Sequence, residues 1–197
     1  MIQRHIIIWL IGTIIFLGVN LWFGERVVIE QFTKERGQIT QTMGKDTAER
    51  IRGNTNTVYS FCCNWLAELT EQVFVPPTQD SYGVRDGVIS SHQAFWTSVY
   101  MMVTRVFVIA EWMLVFWVVF LAAANHGLTK RAISVANTAW SSPVRYHLGL
   151  HYMVVVMGLL VNYILWPWIL HPFIAVGLLS IMCFVAFIIT SNIQPKV

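Results

Sequence analysis

Residues 125–151 read NHGLTKRAISVANTAWSSPVRYHLGLH. The stretch carries Lys130, Arg131 and Arg145 and no Asp or Glu, and the chain on either side is almost continuously apolar. A polar, acid-free interruption between apolar runs has the character of a cytoplasmic loop, because short loops on that side of a membrane are rich in Lys and Arg. Membrane segments can then be counted outward from it in both directions.

Of the 197 residues, 56% are hydrophobic and only 12% charged, against roughly 25% charged in ordinary soluble domains. A soluble fold of this length could not hide so much apolar surface, so the expected solvent is lipid. The first candidate span is Ile6–Phe23, IIIWLIGTIIFLGVNLWF. The apolar part of a cleaved signal peptide is about 7–15 residues and ends at small residues. This run is longer and ends Asn20-Leu21-Trp22-Phe23, which reads as a retained anchor. Further spans lie in 99–124, 150–166 and 173–190, each close to the roughly 20 residues that cross a bilayer. Arg4, the 125–149 loop and Lys196 fall on one side, and the hairpin 167–172 between the last two spans carries no charge. The expected fold is therefore an all-α integral membrane protein with four transmembrane helices and both termini cytoplasmic: 1–5 and 191–197 as tails, 24–98 as a periplasmic helical segment.

That segment holds seven basic and nine acidic residues, but a stretch so long is translocated largely regardless of charge. Val28, Phe32, Ile39, Met43, Ile51, Val58, Cys62, Leu66, Leu69 and Val73 recur near the helical period. Gly37, Gly44 and Gly53 weaken one long helix, so two or three amphipathic helices are expected, ended by Val75-Pro76-Pro77. A loop with Gly83, Asp86 and Gly87 would lead back to the membrane. So thin a core should lean on the bilayer, on copies of itself or on a partner. Cys62 and Cys63 read either as small buried residues or as an intermolecular disulfide in an oxidising compartment. There is no C-x-x-C redox pattern.

Charged side chains inside a span usually face the bundle interior and mark helix packing or function. Arg105 and Glu111 lie in the second span. Arg105 is expected to snorkel outward, with Asn162 of the third span at similar depth. Glu111 sits near mid-membrane, level with Thr13 and Ser180, and reads as packing. A transporter accessory centred on Glu111 is the alternative, although relays need chains of such groups. His147 and His151 are spaced i and i+4, but a transmembrane haem needs two spans bearing histidines level in depth, so a haem or thiol redox protein is a weaker reading. No Walker loop, H-E-x-x-H, G-x-S-x-G or EF-hand pattern is present. We expect no enzyme activity and no cofactor, and thirteen scattered Lys and Arg make no nucleic-acid groove.

Within the loop, Leu128, Ala132, Ala136, Ala139 and Trp140 share one helical face, the pattern of a short interfacial helix stopped by Ser141-Ser142-Pro143. His126-Gly127-Leu128, Arg131-x-Ile133 and Ser142 followed by Tyr146-His147 resemble the cytoplasmic loop of the integrating-conjugative-element membrane protein family. His126 stands where that family has Asp, and Trp140-Ser141 where it has Arg-Glu. The resemblance implies a bacterial inner-membrane component of a conjugative type IV secretion or coupling complex, a partner of the DNA-translocating coupling ATPase. It would act as part of a homo- or hetero-oligomer, leaving DNA to that partner. Gly127, Leu128, Lys130, Arg131, Trp140, Arg145, Tyr146 and His147 are then the candidate docking residues.

Overall fold

The computed structural model describes residues 2–75, 84–137, 142–166 and 168–193. Those residues form six helices: α1 (Ile2–Met43), α2 (Lys45–Cys62), α3 (Asn64–Phe74), α4 (Val84–Ala136), α5 (Pro143–Leu165) and α6 (Phe173–Ser191). By length and composition, Arg85–Ala136, Pro143–Leu165 and Phe173–Ser191 can each cross a membrane. Three such helices point to a membrane protein. The anchor run Ile6–Phe23 lies in the N-terminal half of α1, which is helical throughout.

Helix boundaries follow the backbone chemistry of a few residues. Gly37 and Gly53 are absorbed into helices, and only Gly44, at φ 84°, breaks the chain between α1 and α2. That left-handed conformation costs glycine nothing. Val84–Ala136 contains no Pro, so α4 runs 53 residues without interruption. It takes in Asp86 and Gly87, where the sequence led us to expect a loop, and also most of the expected interfacial helix. Pro143 is the first residue of α5, where a missing N–H costs nothing. The Ser142 hydroxyl caps this end by accepting from the Arg145 amide at 3.3 Å. Ser142-Pro143 therefore starts a helix, and Arg145, Tyr146 and His147 lie in its opening turns.

The chain divides into two compact units. Unit 1 is Met1–Val108 with Asn162–Pro172, and unit 2 is Ile109–Val161 with Phe173–Val197. In unit 1, Val28, Ala94 and Met101 form a small core with Phe32 against it. Edge-to-face ring contacts extend it: Phe32 with Tyr100 at 5.3 Å, Tyr59 with Tyr100 at 5.2 Å, Phe95 with Trp96 at 5.3 Å. In unit 2, Val156, Leu160, Leu179 and Met182 form the core, with Trp112, Met113, Phe116 and Phe120 packed on it. Leu114, Val115, Trp117 and Val118 of α4 stay exposed, the surface lipid would cover.

Candidate functional site

The most concentrated polar arrangement in unit 1 is built around Arg105. On α4, Ala94, Ser98, Met101, Arg105 and Val108 recur every three or four residues and are all buried. On α1, Val28, Glu35 and Ile39 are buried in the same way. One cation and one carboxylate thus sit on the apolar faces of two helices, and they meet. Arg105 Nε donates to Glu35 Oε1 at 2.7 Å and Nη2 donates to Oε2 at 2.6 Å, a side-on bidentate pair with the Arg105 side chain 1% exposed.

The remaining guanidinium protons go to backbone. Nη1 donates to the carbonyls of Trp166, Tyr163 (3.3 Å) and Ile164 (3.5 Å), and Nη2 donates to Trp168 O at 2.8 Å. Tyr163 and Ile164 belong to the last turn of α5, whose carbonyls have no intrahelical partner. A cation there also meets the negative end of the helix dipole. Arg105 therefore ties α1, α4 and the end of α5 at one point. Two carboxylate oxygens and a helix end hold the Arg105 guanidinium in place. Asn162 lies one residue before this carbonyl run, half-buried, and its own carbonyl accepts the Trp166 amide at 2.8 Å.

A second polar contact holds α3 to α4. Trp96 Nε1 donates to Thr70 Oγ1 and to His92 Nε2, each at 3.1 Å, and Thr70 Oγ1 lies 3.0 Å from His92 Nε2. Tyr59 Oη donates to Trp96 O at 3.4 Å, and burial raises the Tyr59 phenol above its ordinary pKa. The cysteines lie beside this contact. Cys63 is half-buried, and burial, then the neighbouring Cys62, raises its thiol pKa; Cys62 is exposed, and both are free. Cys62 shares an exposed edge with Val58, Phe61, Trp65, Leu69 and Val73, Phe61 being 83% exposed.

The loop residues fall in unit 2. Gly127 is buried: a Cβ there would stand 2.0 Å from Thr190 Oγ1 and 2.8 Å from the Phe187 carbonyl. Gly149 would likewise meet Ile189 at 2.8 Å. Both glycines mark close backbone approach to α6, the usual role of small residues between membrane helices. His126 stacks on Phe187 at 5.4 Å, and Lys130 Nζ lies 5.3 Å from the same ring. Leu128, Arg145 and His147 are exposed, and Tyr146 packs edge-on to His147 at 5.6 Å. Arg131 is half-buried, and its Nε has no hydrogen-bond partner among the described residues. Trp140 lies outside the described residues. Glu111 is half-buried on α4. Among the described residues no group of three or more His, Cys, Asp or Glu converges as metal ligands would.

A protein-family model described as "IncC plasmid conjugative DNA transfer protein DtrJ-like" matches residues 28–194. No curated protein and no solved structure matches the chain. The loop motif resembled a family of integrating conjugative elements, whereas the matched model describes a plasmid transfer protein; conjugative DNA transfer is common to both.

Proposed function

The chain belongs to the DtrJ-like family of conjugative DNA transfer proteins, and from that premise we propose that it is a non-enzymatic inner-membrane component of the conjugative type IV secretion or coupling complex. The observation that carries this reading is the family match over 28–194 in a chain with three helices able to span a bilayer. In this reading the anchor run Ile6–Phe23 is a fourth span, both termini are cytoplasmic, and the partner is the DNA-translocating coupling ATPase. The docking surface is the end of α4 and the start of α5. What supports that surface is the exposure of Leu128 and His147, and an Arg131 whose buried Nε has no hydrogen-bond partner among the described residues.

Pull-down of the full-length protein in mild detergent with mass spectrometry tests the partner. Recovery of the coupling ATPase is expected, and its absence from crosslinked complexes in transferring cells would overturn the reading. Arg131→Lys cannot reproduce bidentate contacts. It and His147→Ala should each weaken the partner by about 1–2 kcal/mol and lower transfer frequency at normal protein level. Wild-type transfer in both would leave the loop a topology signal.

The exposed edge of α2 and α3 is proposed as the contact with a second copy. A lipid-bound helix usually carries Lys and Arg on its polar face, whereas α3 (NWLAELTEQVF) has two Glu and no cation. In a two-fold dimer the same patch of each copy meets its counterpart, so the exposed Cys62 of one copy could pair with that of the other. Cys62→Ser should abolish a dimer band on non-reducing gels, while Cys63→Ser, which removes the half-buried thiol, should keep it. Persistence of the band in Cys62→Ser defeats the assignment.

A further inference from the structure

A cavity of about 300 Å³ in unit 2 lies between the later part of α4, the first turns of α5 and the end of α6. That is the low end of the roughly 300–1,000 Å³ range of small-molecule sites. Lys130 enters it from α4 and Arg145 from α5, with Ser191 and Asn192 from the end of α6. Asn192 closes one side. Its Oδ1 accepts the Ser142 amide at 3.4 Å and its Nδ2 donates to the Ile188 carbonyl at 2.8 Å, which joins the start of α5 to the end of α6.

The charge in this cavity is not balanced within the unit. The single acidic residue in unit 2 is Glu111, nineteen residues before Lys130 on the same helix and therefore about 28 Å away along its axis. Arg145 is in the first turn of α5, where no acidic side chain is present and where the helix dipole disfavours a cation. Two cations from different helices thus share one cavity whose lining, among the described residues, holds no carboxylate to neutralise them. An anion between them would offset both their repulsion and the dipole. Tyr152 and Phe187 supply an apolar wall beside the charges.

We propose that this cavity binds the phosphate of an anionic phospholipid headgroup, with Lys130 and Arg145 as its cationic ligands. A free phosphate shares that chemistry, but two features favour the lipid. The cavity sits at the ends of α5 and α6, both able to span a bilayer, which is the depth of headgroups. Its apolar wall also suits the glycerol and ester region, which inorganic phosphate lacks. The proposal does not depend on the ATPase reading, so a failed pull-down leaves it standing.

Native mass spectrometry of the delipidated full-length protein, reloaded with phosphatidylglycerol, phosphatidylcholine or inorganic phosphate, tests it. Phosphatidylglycerol should be retained and phosphatidylcholine lost. Lys130→Gln and Arg145→Gln should each lower phosphatidylglycerol affinity about fivefold. Two variants leave the net charge, and hence the topology signal, unchanged. Lys130→Arg should retain the lipid, and Ser191→Leu, which fills the cavity, should lose it, with unchanged thermal melting of the lipid-free protein in both. Equal retention of the two lipids, or wild-type retention by Ser191→Leu, would overturn the site. Displacement of phosphatidylglycerol by equimolar inorganic phosphate would overturn the lipid assignment.

Discussion

Truncating Glu35 strands a buried guanidinium, and truncating Arg105 strands a buried carboxylate together with the carbonyls at the end of α5. Removing one partner of a buried pair costs about 3–5 kcal/mol. Arg105→Ala should therefore lower the melting temperature in detergent more than Glu35→Ala, since Arg105 serves four carbonyls besides the carboxylate. Equal losses would mean that the carbonyl contacts contribute nothing. Gly127→Ala sets up a clash with Thr190 Oγ1 and the Phe187 carbonyl and should cost about 1–3 kcal/mol as overpacking. Adding Thr190→Ala should recover part of that loss, because it relieves only the side-chain half of the clash. The pairing of Glu35 was legible in principle. Glu35 lies seven residues after Val28 and four before Ile39, a carboxylate on an apolar helical face. The segment as a whole is polar, and a sum of charges hides the one that points inward.

Among the elements, the α1–α2 break offers a clean comparison. Gly44→Ala puts a side chain at φ 84° and should destabilise by about 1–2 kcal/mol. A Cβ at Gly37 or Gly53 would meet nothing within 4 Å, so alanine there should stabilise by up to about 1 kcal/mol. Chemical unfolding of the three variants checks the order, and a stabilising Gly44→Ala would show that the turn is not strained. Gly37, Gly44 and Gly53 stand alike in the sequence, with no mark of which one carries the positive φ. Apolar periodicity showed that helices exist in this segment. The ends of α4 and α5 were hidden by polarity: Lys130, Arg131 and Arg145 read as loop residues, yet polar residues continue a helix readily when no Pro or left-handed Gly intervenes. Ser142-Pro143 was ambiguous because a stop and an N-cap share the same residues.

On the scale of the whole molecule, the proposed topology makes a prediction that no single contact can supply. Cysteines introduced at 126–148 should react only from the cytoplasm, and those at 30–95 only from the outside; labelling of the latter group from the cytoplasm would overturn four spans with both ends inside. The membrane character was legible from composition, since 56% hydrophobic residues leave few other fates for a chain of this size. The proposed docking surface was legible only as a motif. The structure assigns part of that motif to packing, Gly127 against α6 and Ser142 as a cap, and leaves Leu128 and His147 at the surface.

The Arg105 junction also has a clock. Glu35 is made 70 residues before Arg105, and Trp168 follows Arg105 by 63. At the roughly 5–20 residues per second of translation, the cation finds its carboxylate already synthesised but waits about 3–13 s for the last of its carbonyls. During that interval α4 holds a half-ligated charge, and insertion of α5 is the event that relieves it. Ribosome pausing between codons 106 and 168 would lengthen the exposure, so slowed synthesis over this stretch should lower the share of chains that reach the assembled state, which pulse-chase labelling would measure.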